Sequence, residues 1–347
     1  MFSSGWASYS VGLTVKITEH PELVYPGETK VTKELVKPEW AWIDGRFVPW
    51  NECVLHVRYQ AIMTGASVFE GVRAYWNSQQ RQLYIFRLRE HLERLADSMK
   101  VMRMSQGVTP DLADVCIELL RRNSFEQDVH FIPVAYFGVG EEFGAQTRPL
   151  QEGFFITAIA KPRSSSLDRG INVCTSSWRR ISDSVMPPRV KAAANYQNSR
   201  FALMEARANG YDSAIFLNVS GTVAEGPGAC LFMLRRGEIF TPPVTAGILE
   251  SITRTTLIRL LKERLGLSVI EREIDRTELY LADEVLLCGT NSEVTPVVAI
   301  DRISVGSASP GEMTRKLQKL YFAVARGEDK SFTEWLTPVY AKIEART

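Results

Sequence analysis

The chain has 347 residues, of which 45% are hydrophobic and 23% are charged, and its formal net charge is +1 at pH 7. This length suffices for two domains, and the composition is typical of a soluble globular protein. The small net charge predicts neither nucleic acid nor a membrane surface as a partner. The paired basic residues, among them Arg179-Arg180, are scattered and are expected on a solvated face. The five cysteines are widely spaced and form no cluster with histidine, so the sequence predicts neither a disulfide framework nor a metal site.

Cellular location follows from what the sequence lacks. No apolar run reaches the roughly 20 residues that a membrane-spanning helix needs. The first 38 residues lack the basic and apolar regions of a secretion signal. Unpaired cysteines fit a reducing compartment. We therefore expect a cytoplasmic protein whose residues 1–38 form an N-terminal extension.

The next part of the chain is predicted to consist of strands around two helices. Asp44-Gly45 lies between two apolar runs and predicts a β-hairpin of residues 41–43 and 46–48. Apolar residues at three- and four-residue spacing predict a helix over residues 90–103, and Thr109-Pro110 predicts the start of another. Further strands are expected at residues 54–57, 65–69, 72–75, 83–86, 130–137 and 153–160.

A polar stretch rich in proline and serine, Lys161 to Asp168, is the best candidate for a domain boundary. It separates a small domain (39–160) from a large domain (169–347), with residues 161–168 as the linker. Helices in the large domain are expected at residues 197–209, 252–265 and 311–326. Its strands are expected at residues 171–175, 213–219, 229–234, 238–240 and 284–288.

Lys191 has surroundings unlike those of most lysines, which are solvated surface charges. It follows the turn Pro187-Pro188 and is flanked by valine and three alanines, so a bulky ligand could approach its amine. Tyr196 follows five residues later, and Glu225 opens a turn after a predicted strand. A lysine amine held away from water attacks carbonyl carbons. An acid that keeps a pyridine nitrogen protonated would complete a pyridoxal phosphate site.

The phosphate of such a cofactor needs hydrogen-bond donors and positive potential. Ile252-Thr253 directly follow Ser251, the predicted cap of a helix, and a helix N-terminus offers free N–H groups to an anion. Thr290 follows the predicted strand 284–288 and would add a hydroxyl and an N–H.

Four motifs in this order resemble the class IV, D-amino-acid-transaminase-like (fold type IV) family of pyridoxal phosphate enzymes. They are Lys191-x-x-x-Asn195-Tyr196, Glu225-Gly-x-Gly-x-x-Leu231-Phe232, Ile252-Thr253-Arg254 and Gly289-Thr290. Ser67-Val68-Phe69-Glu70-Gly71-Val72-Arg73 most resembles branched-chain amino acid aminotransferases, and the similarity runs from about Trp40 to Gly327.

The resemblance implies an α+β fold with an N-terminal α/β sandwich-like domain and a larger C-terminal pseudo-barrel β domain with helices. It also implies a homodimer with sites near the subunit interface, for which residues 138–146 are the candidate contacting loop.

The resemblance further implies roles for individual residues. Lys191 would be the catalytic residue, Tyr196 would bond the phenolic oxygen of the cofactor, Glu225 its ring nitrogen, and Arg94 its phosphate. The implied cofactor-binding set is Arg94, Lys191, Tyr196, Glu225, Leu249, Ile252, Thr253 and Thr290. The implied substrate-binding set is Thr64, Phe69, Arg73, His130, Ile132, Gly228, Thr290 and Asn291.

The substrate side departs from the family pattern. Where branched-chain aminotransferases have Tyr-x-Arg, this chain has His130-Phe131-Ile132, and Ile132 cannot bind a side-chain carboxylate. Thr64 replaces a tyrosine of the family. Arg73 or Arg163 could substitute for the missing arginine, although a structural salt bridge, for instance with Glu70, is an equally good interpretation of Arg73.

We therefore expect a pyridoxal phosphate-dependent aminotransferase that exchanges an amino group between an amino acid, branched-chain or otherwise apolar, and a 2-oxo acid. An alternative is a transaminase of (R)-amines or D-amino acids. A lyase of the aminodeoxychorismate type and a non-catalytic cofactor-binding protein are further alternatives.

Overall fold

The computed structural model describes residues 38–140 and 151–341. Residues 1–37 of the predicted extension and most of the predicted loop 138–146 lie outside this part of the chain. The strands are, in chain order, β1 (Trp40–Ile43), β2 (Arg46–Pro49), β3 (Ser67–Phe69), β4 (Val72–Asn77), β5 (Gln82–Phe86), β6 (Val129–Phe137), β7 (Glu152–Ala160), β8 (Ile171–Arg179), β9 (Ser213–Leu217), β10 (Cys230–Arg235), β11 (Glu238–Thr241), β12 (Val269–Glu271), β13 (Glu284–Gly289), β14 (Glu293–Ile300), β15 (Ile303–Ser304) and β16 (Leu336–Pro338). The α-helices are α1 (Gln60–Met63), α2 (Leu88–Val101), α3 (Leu112–Arg122), α4 (Ser166–Arg169), α5 (Tyr196–Ala208), α6 (Ile252–Leu265), α7 (Arg276–Leu279) and α8 (Glu312–Ala325).

The first sheet has the strand order β16-β5-β4-β6-β7-β1-β2, with β3 paired to β6. Its strand pairs are antiparallel. The predicted hairpin is confirmed, since Ala41 pairs with Val48 across the turn. Both turn residues, Asp44 and Gly45, have positive φ angles (46° and 86°), as a tight two-residue hairpin turn requires.

Helix α2 packs on the first sheet through the apolar stripe that the sequence predicts. Leu92, Leu95 and Met99 are buried and belong to the same core as Val72 and Phe131 of the sheet. The periodic spacing therefore locates this helix correctly, to within two residues at each end. Helix α3 begins two residues later than Pro110, after Asp111.

The second sheet has the order β12-β11-β10-β13-β14-β8-β9, with β15 paired to β14. It is mixed, because β8 pairs in parallel with both β14 and β9. In the described part of the chain its path ends at β12 and β9 without closing, so this layer is an open sheet rather than a closed barrel. The α+β class is confirmed.

A single core joins the first sheet to the helices on the second. This core contains Tyr75 of β4, Phe86 of β5 and Trp335, the residue before β16. They pack with Leu257 of α6 and Tyr321 of α8. Tyr75 and Phe86 both meet Tyr321 edge to face. This shared core fixes the first sheet against helices α6 and α8 of the second.

Helix α6 shows why its bounds are predictable to the residue. The Ser251 hydroxyl accepts a hydrogen bond from the N–H of Arg254 (3.2 Å), which caps the first turn. At the other end Gly266 has a φ of 66°, the left-handed conformation in which many helices terminate. The capping serine and the terminating glycine both directly flank the helix, so the sequence alone indicates where it begins and ends.

The prediction of a strand at residues 54–57 is wrong. Val54 and Val57 are each 69% exposed, and no strand pairs with this segment in the described residues. Apolar side chains alone do not make a strand when no neighbouring backbone receives its hydrogen bonds.

Strands β12, β14, β15 and β16 were not predicted. β16 pairs with β5, so the chain returns to the first sheet near its end. The predicted linker contains α4, and the division into domains at residues 161–168 stays a prediction. In the described ranges, every helix is too short or too polar to cross a bilayer.

Candidate active site

A cavity of about 500 Å³ is lined by residues of both sheets. The lining includes most of the predicted site residues, from elements far apart in the sequence. These are Phe69, Arg94, His130, Lys191, Tyr196, Glu225, Gly228, Leu249, Thr290 and Asn291. Thr64, Arg73, Ile132, Ile252 and Thr253 are not part of the lining.

The Lys191 amine lies 2.6 Å from the hydroxyl of Tyr196. The same amine lies 4.8 Å from the centre of the Phe69 ring, which borders it on one side. The backbone of Lys191 is fixed to the first sheet, because Phe69 N–H donates to its carbonyl (3.0 Å). Its own N–H donates to the hydroxyl of Ser98 on α2 (3.1 Å). The lysine is thus positioned from two elements before any ligand binds.

Glu225 is buried and held by three neighbours. Its carboxylate accepts from the N–H of Leu249 (3.3 Å) and from the thiol of Cys230 (3.8 Å). The guanidinium of Arg180, also buried, lies 2.9 Å from the same carboxylate. Burial raises the pKa of Glu225, and Arg180 opposes that rise.

The sequence interpretation did not find Arg180. It placed Arg179-Arg180 on a solvated face, because two adjacent arginines usually lie there. Arg180 lines the cavity instead, and no sequence signal marked its partner 45 positions away.

Arg94 faces the cavity from α2 and is held by a buried carboxylate. Its Nε and Nη2 donate to the two oxygens of Glu70 (2.7 and 2.8 Å), and its Nη1 donates to the carbonyl of Glu250 (2.7 Å). His91 Nδ1 lies 2.7 Å from Glu70 as well. Burial opposes the charge on Glu70, but Arg94 and His91 outweigh it and lower the pKa of Glu70 to about 2. Glu70 is therefore ionised and fixes the direction of the guanidinium.

The phosphate-side residues come from α6 and from the turn between β13 and β14. Ser251, Thr290, Asn291 and Ser292 line the cavity. Ile252 and Thr253 lie in the first turn of α6 with buried side chains, where the backbone N–H groups have no acceptor within the helix. A Cβ on Gly289 would lie 2.8 Å from the carbonyl of Gly228, so only glycine permits this approach of two backbone segments.

On the substrate side, His130 faces the cavity from β6 opposite Gly71, at which an added Cβ would lie 2.8 Å from its Nε2. Burial, together with the nearby charge of Arg73, lowers the pKa of His130 to about 4, so the ring is neutral near pH 7. Thr64 lies outside the cavity, where its hydroxyl donates to the carbonyl of Gln60 (2.9 Å).

The structure does not bring either candidate arginine to the cavity. Arg73 is buried and pairs with Glu293 (3.2 Å), not with Glu70. Arg163 pairs with Asp168 (2.8 Å) in the predicted linker. The expectation that Arg73 binds substrate is corrected by this placement.

Comparison with known proteins gives the class. Residues 67–300 match the family described as amino-transferase class IV. The chain therefore belongs to the class IV aminotransferases.

Within this class the chain is similar to branched-chain-amino-acid aminotransferases. A probable member from Aquifex aeolicus (strain VF5) is 40% identical over 305 residues, which are 88% of this chain and 98% of that protein. The Escherichia coli (strain K12) enzyme is 36% identical over 309 residues, 87% of this chain and 98% of that protein. The crystal structure of the Thermobaculum terrenum branched-chain amino acid aminotransferase in its PLP form is 45% identical, with a TM-score of 0.83 over 88% of this chain and 100% of that chain.

Pyridoxal phosphate is the cofactor of this class, and the donor set of the cavity fits it. A lysine amine beside a phenol suits the aldehyde and the phenolic oxygen. The buried carboxylate of Glu225 suits a protonated ring nitrogen, and Arg94 with the 290–292 turn suits the phosphate. Gly228 has open space where a side chain would otherwise project.

Proposed function

We propose that this aminotransferase moves the amino group of an apolar, branched-chain amino acid to a 2-oxo acid, and that it does so as a cytoplasmic homodimer. The observation that carries the reaction is the contact of Lys191 with Tyr196 in the cavity that also contains the Glu225–Arg180 pair. Five free thiols support a reducing location, which cell fractionation would test.

When bound, the cofactor supplies a carbonyl carbon that captures amines and a ring that accepts electron density. The protein has the remaining tasks. Lys191 holds the cofactor and, once released, carries a proton to and from the carbon that bears the substrate amine. The hydroxyl of Tyr196 orients the amine of Lys191. Glu225 keeps a proton on the ring nitrogen, and Arg180 favours the ionised form of Glu225.

The charges of the described lining support apolar substrates. Its cations are Arg94, Arg180 and Lys191, and the first two are already paired with Glu70 and Glu225. Burying a second substrate carboxylate without a partner costs several kcal/mol. Since His130 is neutral, we expect apolar 2-oxo acids to be better acceptors than 2-oxoglutarate.

The test is amino transfer by the purified holoenzyme from L-leucine to an apolar 2-oxo acid, to pyruvate and to 2-oxoglutarate. Lys191→Ala is expected to lower kcat by a factor of about 10³ or more and to remove the cofactor that borohydride fixes to the protein. Lys100→Ala, on the exposed side of α2, is the control and should match wild type.

Borohydride-fixed cofactor in Lys191→Ala would show that another lysine does the chemistry. Turnover of D-amino acids or (R)-amines without turnover of L-leucine would favour the alternative substrate class.

A further inference from the structure

An ion pair joins the two sheets beside the cavity. Arg73 on β4 of the first sheet and Glu293 at the start of β14 of the second sheet are 220 positions apart in sequence. Their side chains are 2% and 4% exposed, and Arg73 Nη2 lies 3.2 Å from Glu293 Oε1. Neither side chain lines the cavity, so the pair acts on the site only through its neighbours.

Glu293 closes the turn that faces the phosphate side of the cavity. It pairs with Gly289 across the β13–β14 hairpin, and the residues between them, Thr290 to Ser292, all line the cavity. Its φ is +51°, a left-handed conformation that glutamate rarely adopts. Residues held in such conformations persist where the surrounding structure fixes them.

Besides Glu293, the neighbours of Arg73 are the ring of Tyr75, whose centre lies 5.3 Å from the guanidinium carbon, and one further carboxylate. Asp128 lies 3.9 Å from Arg73 and is already bound through both oxygens by Arg326 (2.7 and 3.1 Å). The Arg73 Nε is buried without a hydrogen-bond partner in the described structure. Glu293 is therefore the carboxylate nearest to Arg73, and burying both charges makes their mutual geometry strict.

We propose that Arg73 is a positioning residue that, through Glu293, holds the Thr290–Ser292 turn at the phosphate of the cofactor. This rests on the proposed function and on the fit of the 290–292 turn to the phosphate of its cofactor. The left-handed backbone at Glu293 relaxes when Arg73 no longer holds its side chain, and this relaxation displaces the donors of the turn.

If Arg73 and Glu293 position the turn, loss of the pair weakens the binding of the cofactor's phosphate and leaves its other contacts unchanged. A pair that merely stabilises the fold would weaken the binding of pyridoxal 5'-phosphate and of phosphate-free pyridoxal to the same degree. A pair that positions the turn would weaken only the binding of the phosphorylated compound. The ratio of the two dissociation constants therefore separates the two roles.

The experiment measures both dissociation constants by absorbance titration of the full chain after removal of the cofactor. The variants are Arg73→Met, Glu293→Gln and the double variant Arg73→Met/Glu293→Met, whose two apolar side chains leave no unpaired buried charge. The control is Arg272→Met/Glu278→Met, which removes a less buried ion pair remote from the cavity lining.

We expect the double variant to lose tenfold or more in affinity for the phosphorylated compound and less than twofold for pyridoxal, while the control keeps both values. Equal losses for the two compounds, or no loss, would overturn the proposal. If wild type itself fails to bind pyridoxal 5'-phosphate, the proposed function fails. If wild type binds it and the ratio is unchanged in the double variant, only this inference fails.

Discussion

At the scale of single residues, the charge on Glu225 decides whether the ring nitrogen can stay protonated. Its carboxylate is buried, which raises its pKa, and Arg180 at 2.9 Å is the strongest influence in the opposite direction. Removing the guanidinium lets Glu225 take up a proton, and a neutral acid stabilises a pyridinium poorly. Arg180 therefore acts through Glu225, as a positioning and charge-setting residue.

We expect Arg180→Met to lower kcat by a factor of about 10² and Arg180→Lys to recover part of it. The active form has an ionised Glu225, whose pKa rises further in Arg180→Met. Residual activity of that variant should therefore increase with pH across a range in which wild type is constant. The measurement is kcat between pH 6 and 10. If kcat of Arg180→Met depends on pH in the same way as kcat of wild type, Glu225 needs no neighbouring cation to stay ionised.

What the sequence reveals at this scale depends on how far away the partners are. Lys191 and Tyr196 are five positions apart, so their contact is foreseeable from spacing. Arg94 was identified by family resemblance alone, because its partner Glu70 lies 24 positions away on another element. Arg180 was missed for the same physical reason: burial and ion pairing are tertiary properties, and arginine is usually exposed.

At the scale of elements, Glu70 attaches α2 to the segment between β3 and β4. It binds Arg94 and His91 of α2, and its pKa is lowered from 4.5 to about 2 in the folded protein. A lowered folded-state pKa means that this attachment contributes its full stability above pH 4.5. That stability is lost as the pH falls from 4.5 through 2.

The lowering of the Glu70 pKa from 4.5 to about 2 corresponds to roughly 3 kcal/mol of unfolding free energy. We expect this loss in urea unfolding of wild type between pH 4.5 and pH 2. Glu70→Gln should be destabilised at pH 7, because Arg94 loses its partner, and should depend less on pH in the acid range. Glu118→Gln, which removes a half-exposed pair with Arg122, is the control. An acid dependence of Glu70→Gln equal to that of wild type would contradict this role of Glu70.

Elements with local signals were predictable, and elements defined by pairing were not. Helix α6 has its cap and terminator in its own sequence, and α2 has a periodic stripe. Strand β14 was not predicted although Val294 to Ile300 is rich in β-branched residues, because Pro296 inside the run argues against a paired strand. β16 is only three residues long and exists because it pairs with β5, about 250 positions earlier.

At the scale of the whole molecule, the site depends on two sheets meeting. Motif order indicated the family and with it the α+β fold, but the meeting of the sheets rests on long-range contacts. The core that joins Tyr75 and Phe86 to Tyr321 and the Arg73–Glu293 pair both connect segments more than 200 positions apart. Such contacts leave no local pattern, which is why the interpretation of Arg73 remained divided at the sequence level.

An exposed apolar stretch of the predicted small domain, residues 54–63, also bears on assembly. Val54, Val57, Ile62 and Met63 are between 57% and 69% exposed and come from one short stretch of the chain. The N–H of Gln60 in this stretch donates to the carbonyl of Gly138 (3.0 Å), where the predicted contact loop begins. Exposed apolar side chains grouped in this way are typical of protein interfaces. We propose that this stretch contributes to the homodimer contact.

Sedimentation equilibrium of the holoenzyme at micromolar concentration tests this assembly. We expect a dimer for wild type and a shift towards monomer for Val57→Asp/Ile62→Asp, because a carboxylate buried in an apolar interface loses its hydration without gaining a partner. Val219→Asp is the matched control, since Val219 is 71% exposed and follows β9 of the second sheet, whereas the stretch 54–63 precedes β3 of the first. It should remain dimeric. A fully active wild-type monomer would contradict the homodimer, and a dimeric Val57→Asp/Ile62→Asp variant would place the contact elsewhere on the surface.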